Sequence, residues 1–254
     1  MVVGNWKMNP TTWREAKKNY LTLKQSARRW RHIEVITAPP GLYLPGLADY
    51  SRPRSFALAG QNCHFQEAGS YTGELSPVML KEAGADYCIL GHSERRAAGE
   101  DNELIAKKTA AALAAGLRPI VCVGETVRDE EGAYLAGLEK QITDSVSTLS
   151  DKQLSELTVA YEPVWAIGRS DNRALTGERI YEMVIFIRRA LTRRYNRQAA
   201  FSVPVLYGGS VTPANTSEIM TQGGVKGLLV GRQSLEPESF KNIIDIVEEV
   251  TQPN

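Results

Sequence analysis

The sequence is 254 residues long, with 43% apolar and 23% charged side chains, an ordinary globular composition that allows a sizeable core. Its 30 basic and 29 acidic residues leave a formal charge of +1. That balance carries no electrostatic footprint for nucleic acid or an anionic membrane, so any bound anion must be captured by a local site. Cys63, Cys88 and Cys122 are too few and too scattered for a disulfide framework, and none lies in a zinc-ligand or redox pattern. No apolar stretch approaches the roughly 20 residues that span a bilayer, and the first residues lack the charged-then-apolar order of a signal peptide. The expectation is a reduced, cytoplasmic protein without a zinc site or redox motif.

Short apolar runs recur along the chain with longer helical patterns between them. The strand candidates cover residues 2–7, 33–38, 56–62, 87–91, 119–124, 158–162, 203–207 and 227–231. Several are almost continuously apolar, as parallel strands buried on both faces must be. The helix candidates cover 12–29, 77–83, 103–115, 134–148, 178–194 and 237–249. In the fifth of these, Ile180, Met183, Val184 and Ile187 form a stripe at helical spacing. Arg188, Arg189, Arg193 and Arg194 follow toward its C-terminus, where the helix dipole favours cations. About eight alternating units without a linker predict a closed (β/α)8 barrel forming one domain over residues 1–254. An open doubly wound sheet competes, but no G-x-G-x-x-G follows the first strand.

In a parallel barrel the chemistry sits at the C-terminal strand ends. The first run reaches Asn5 and Lys7, which point the same way if the chain stays extended; the alternative for Lys7 is a plain exposed cation. The fourth ends at His92, where a helix would begin and Ser93 could cap it. A histidine at a helix N-terminus is disfavoured as imidazolium and can donate a hydrogen bond while neutral, although a merely structural histidine is also open. The sixth ends at Glu162, followed by Pro163, which stiffens the backbone. Partial burial at the mouth suits this carboxylate to act as a base; an ion-paired glutamate is the alternative. The last two strands run into Tyr207-Gly208-Gly209-Ser210 and Gly231-Arg232, where glycines let backbone N–H groups approach an anion. Ordinary tight-turn glycines would read the same way.

Taken together and in order, GNWKMN, TGELSP, YCILGHSERR, CVGET, AYEPVWAIG, YGGSV and LLVG resemble the triosephosphate isomerase family from about residue 2 to the last helix. The resemblance implies a TIM barrel that interconverts dihydroxyacetone phosphate and glyceraldehyde 3-phosphate. It implies Glu162 as base, His92 as neutral electrophile, Lys7 as electrostatic stabiliser and Asn5 as hydrogen-bond donor. A glutamate base beside a neutral histidine is the established arrangement of this same family, so the pairing comes with the resemblance and not from the residues alone. Gly168, Ser210, Gly231 and Arg232 would bind phosphate, with Glu94, Ser93, Cys122 and Tyr207 in support. The loop from about Cys63 to Ser76 resembles the family's dimer loop, so a homodimer is implied. In it Thr72 would meet the partner's Asn5 and Glu94, Glu74 would meet the partner's Arg95, and Met8 would lie beneath the loop.

The lid that begins at Pro163 departs from the family pattern, reading Gly168-Arg169-Ser170-Asp171-Asn172-Arg173-Ala174-Leu175-Thr176. Arg232 stands where a second glycine is usual, which preserves a backbone donor only without a positive φ. With so little chain before it, the first strand is expected to fray. An isomerase of tetrulose phosphates and a catalytically inactive interaction barrel remain the other functional readings.

Overall fold

The computed structural model describes residues 1–50, 53, 55–166 and 175–252. Eight apolar runs form the parallel strands β1 (Val2–Asn5), β2 (Val35–Ala38), β3 (Phe56–Gly60), β4 (Tyr87–Leu90), β5 (Arg118–Val123), β6 (Thr158–Tyr161), β7 (Val205–Tyr207) and β8 (Gly227–Val230). Each pairs with the next, and β8 returns to β1 with Gly4 opposite Val230, closing the barrel.

Side chains alternate across each strand, so one parity faces the barrel axis and the other faces the helices. The axial set is Val3, Ile36, Ala38, Ala57, Ala59, Tyr87, Ile89, Ile120, Cys122, Ala160, Leu206 and Leu229, all buried in one apolar cluster. The other parity, including Val2, Val35, Leu58, Cys88, Val121, Val159 and Leu228, packs in a larger cluster with the helices. Two residues beyond Val3, Ala160, Leu206 and Leu229 come Asn5, Glu162, Gly208 and Gly231. The alternation that fills the barrel therefore delivers these four to its mouth.

The helices are α1 (Trp13–Ser26), α2 (Leu44–Ala48), α3 (Pro77–Glu82), α4 (Ser93–Ala97), α5 (Asn102–Ala114), α6 (Tyr134–Ser145), α7 (Asp151–Leu154), α8 (Gly177–Thr192), α9 (Arg197–Ser202), α10 (Pro213–Gln222) and α11 (Pro237–Thr251). Their starts follow the capping rules: Thr12, Ser76, Asp101, Ser150, Thr176 and Asn196 each accept a backbone N–H of the first turn. In α8 the stripe Ile180, Met183, Val184 and Ile187 is fully buried, each side chain contributing roughly 1.5–3 kcal/mol.

Three sequence expectations are corrected. The first strand stops at Asn5 rather than Lys7, whose φ of 52° turns the chain out of the sheet. In place of the expected frayed start, Val2 to Asn5 are buried and pair with β2, and Val2 to Gly4 pair with β8 as well. The helices α2, α7, α9 and α10 lie outside the expected spans; α10, the longest, escaped the periodicity because only Thr216 and Ile219 of its ten residues are buried. Its start is nonetheless specified by Pro213 and by the reciprocal pair of Thr212 and Asn215.

Candidate active site

Glu162 leaves the end of β6 with its N–H held by the Val123 carbonyl at 2.8 Å. It is 2% exposed, and its Cγ packs so closely on Gly208 that a Cβ there would sit 2.8 Å away. Oε2 accepts the Ser93 backbone N–H at 3.1 Å, and Oε1 lies 3.2 Å from His92 Nε2. A buried carboxylate is thus held by one backbone donor against one imidazole.

The start of α4 differs from expectation in one respect: His92 itself is the cap, and Ser93 is the first helical residue. His92 Nδ1 accepts the Glu94 N–H at 3.2 Å. A ring nitrogen that accepts carries no proton, so the neutral ring bears its hydrogen on Nε2, facing Glu162.

Lys7 and Asn5 reach the same cavity by a tight turn, not by shared strand parity. The Lys7 N–H donates to Asn5 Oδ1 at 3.0 Å, and Nζ meets Glu94 Oε1 at 2.7 Å. Burial alone would raise the Glu94 carboxyl, but the hydrogen bond and charge of Lys7 outweigh it and hold it below its usual value. Beneath Glu162, Cys122 on β5 is fully buried. Burial, then the nearby Glu162 charge, pushes its thiol well up, so it stays protonated.

Asn5, Lys7, His92, Glu94 and Glu162 line one cavity of about 750 Å³ together with Gly208, Gly209, Ser210, Gly231 and Arg232. The opposite wall is shaped by two devices. Tyr207 lies under Gly209, where a Cβ would fall 2.2 Å from the phenolic oxygen, so only glycine lets the loop pass. Burial also raises the Tyr207 hydroxyl, which stays protonated. Asn215 at the start of α10 donates to the Ser210 carbonyl at 2.9 Å and fixes the loop from the other side. Gly231 caps the short 3-10 turn Arg232–Leu235, whose first N–H groups have no partner inside the turn. Arg232 has no positive φ and its side chain is exposed, so this position does not need the conformational freedom of glycine. Replacing Gly209 with alanine should displace this loop and raise KM about tenfold or more, the effect of losing one charge-assisted hydrogen bond of about 1.5–3 kcal/mol. Steady-state kinetics showing an unchanged KM would exclude a binding role for the loop.

Gly168 and residues 169–174, expected to form the lid, lie outside the described residues. Just before them, Glu125, buried in the loop after β5, accepts from Tyr161 Oη at 2.9 Å and Trp165 Nε1 at 2.8 Å through one oxygen. Thr72 and Glu74 are exposed on the 63–76 loop, and Met8 is 89% exposed. Arg95 pairs within its own chain, 2.6 Å from the buried Glu100.

Sequence reading missed Glu125, Asn215, Gln61 and Arg96. Arg96 donates to the carbonyls of Gly91 and Cys122 at 2.8 and 3.0 Å, tying the ends of β4 and β5 together behind His92 and Glu162. Gln61 directly follows β3 and Glu125 lies two residues past β5, but neither carries a chemical signal of its own. The roles of Glu125, Gln61 and Arg96 rest on contacts between distant segments, and that of Asn215 on a loop five residues away. The signals along the chain were local at best, such as the Thr212-to-Asn215 capping spacing.

The profile of the family described as triosephosphate isomerase matches residues 1–247. The chain is 41% identical over 246 residues to the triosephosphate isomerase of Coprinopsis cinerea, covering 96% of each. It is 41% identical over 245 residues to that of Carboxydothermus hydrogenoformans, again covering 96% of each. The crystal structure of triosephosphate isomerase from Bartonella henselae superposes with a TM-score of 0.83 at 34% identity, covering 96% of this chain and 97% of that one. A buried carboxylate, an imidazole and a lysine at the mouth of a closed eight-stranded barrel thus occur in a chain that belongs to the triosephosphate isomerase family.

Proposed function

We propose that this chain interconverts dihydroxyacetone phosphate and D-glyceraldehyde 3-phosphate, with residues 1–254 acting as one barrel domain. The observation that carries the reading is the convergence of Glu162, His92 and Lys7 on one cavity with glycines at its far wall. Glu162 takes a proton from the carbon beside the carbonyl, leaving an enediolate, and returns it to the neighbouring carbon. His92 Nε2–H donates to the carbonyl oxygen as negative charge develops there, and exchanges protons between the two oxygens. Lys7 Nζ stabilises the enediolate and the phosphate, and Asn5 donates a further hydrogen bond. The loop of Gly209 and Ser210, with Gly231 and the backbone of Arg232, cradles the phosphate; Gly168 completes it from the lid. Both Glu162 oxygens are engaged here, so substrate must draw the carboxylate away from the Ser93 N–H before proton transfer. The chemistry needs neither metal nor organic cofactor, and a reducing cytoplasm suits the three buried free thiols.

A coupled assay in both directions tests this reading, with a tetrulose phosphate run alongside. Rapid turnover of the trioses is expected; a clear preference for the four-carbon substrate, or no turnover of either, would overturn it.

We also propose a homodimer through residues 63–76. Leu75 packs against Gly41 beside the 84% exposed Leu42, and Met8, Val78 and Met79 add further exposed apolar surface. Thr72 would meet Asn5 and Glu94 of the partner subunit, and Glu74 would meet Arg95 of the partner subunit. Sedimentation at micromolar concentration should show twice the chain mass, and Met8→Lys with Tyr71→Lys should shift it toward the monomer. A wild-type monomer would sink the proposal.

A further inference from the structure

Lys7 alone among the described non-glycine residues has a positive φ, at 52°. A side chain in that region is strained and persists only where its surroundings hold it. Two side chains hold it: Asn5 Oδ1 accepts the Lys7 N–H at 3.0 Å, and Gln61, just beyond the end of β3, takes the carbonyl side. Its Nε2 donates to the Lys7 carbonyl at 2.8 Å and to the Ala38 carbonyl, at the end of β2, also at 2.8 Å. Two carbonyl acceptors fix the amide orientation without ambiguity, because only the NH2 end can donate. The Ala38 carbonyl also accepts the Trp6 N–H at 3.1 Å, and Trp6 is fully buried. One amide therefore spans three adjacent strand ends and ties the Lys7 backbone to a rigid point on the barrel.

We propose that Gln61 is a positioning residue of the reaction, holding the Lys7 backbone in its left-handed turn so that Nζ is presented to the substrate from a fixed origin. Without the two donors only the Asn5 contact on the Lys7 N–H still restrains the turn, the Lys7 carbonyl loses its anchor on β2 and β3, and a long flexible side chain starts from a displaced Cα. Gln61 itself contributes no atom to the cavity lining; its effect is transmitted through Lys7. The proposal rests on the isomerase reading with Lys7 at the substrate.

The test is a double-mutant cycle in the homogeneous full-length protein. Wild type and Lys7→Ala are assayed first, which tests the underlying reading on its own. Gln61→Leu, similar in size but without donors, should lower kcat/KM about 10- to 100-fold in the wild-type background, the scale of an ångström-level misplacement. In the Lys7→Ala background the same substitution should change the residual activity less than about threefold. Inhibition by inorganic phosphate should weaken in Gln61→Leu and stay unchanged when the substitution is added to Lys7→Ala. Equal losses in both backgrounds, or no loss in the first, would overturn the positioning role while leaving the isomerase reading intact. If Gln61→Leu fails to fold, Gln61→Met, which keeps the length of the side chain but has no donor, enters the same cycle under the same criteria. Failure of both to fold while Lys7→Ala folds also overturns the proposal, because the amide then serves the barrel and not the lysine.

Discussion

Glu162→Gln is expected to lower kcat about 10²- to 10⁴-fold, the range for removing a positioned general base. KM should change little. The amide keeps the shape of the side chain, its oxygen can still accept the Ser93 N–H, and Gly208 leaves the same narrow space beside Cγ. Circular dichroism and thermal melting should therefore match the wild type, so the loss reports chemistry and not folding. Glu162→Asp separates proton affinity from reach. It keeps a carboxylate but withdraws it by one methylene, and an error of about 1 Å in a reacting group costs on the order of 10²-fold. A Gln variant within about tenfold of wild type would remove Glu162 from the reaction and leave the cavity without its base.

Lys7→Ala is expected to produce the second large loss, about 10²- to 10³-fold in kcat, as for other preorganised groups aimed at developing charge. Here KM should rise as well, because the same ammonium attracts the phosphate dianion in the ground state. The Glu94 contact adds a distinguishing feature. Lys7 outweighs the effect of burial and keeps the Glu94 carboxyl below its usual value. Without Lys7 that carboxylate faces the incoming dianion unpaired. Adding Glu94→Gln to Lys7→Ala should therefore lower KM again, whereas Glu94→Gln in the wild type should not. The pH sign follows from the same contact. Because the folded-state value is depressed, the pairing is present above the ordinary carboxylate range and is lost as the pH falls through the lowered value. If Lys7→Ala retains full turnover at saturating substrate, the lysine acts in binding alone.

How much of this was legible from residues alone differs from one group to the next. Glu162, Gly208 and Gly231 follow an apolar run by a fixed parity, so their arrival at the barrel mouth could be read directly. The α8 stripe from Ile180 to Ile187 was equally open, since burial of one helix face imposes its own period. Lys7 was found for an incorrect reason: the extended spacing from Asn5 does not hold, and a turn at positive φ brings the two together. At β4 the cap was assigned to Ser93, although His92 performs it, because both side chains can accept a first-turn N–H and only the backbone direction chooses.

Sequence by itself pointed to a closed barrel of about eight alternating units and to the residues that end its strands. These depend on local alternation, chain continuity and short motifs, all of which are written along the chain. Only the tertiary structure decided which nitrogen of His92 faces Glu162, that one oxygen of Glu125 holds Tyr161 and Trp165, and that Gln61 clamps the turn of Lys7. Each of those is a directional contact between segments remote in sequence. Its geometry is set by how the closed sheet packs, and no periodicity within a single segment encodes it.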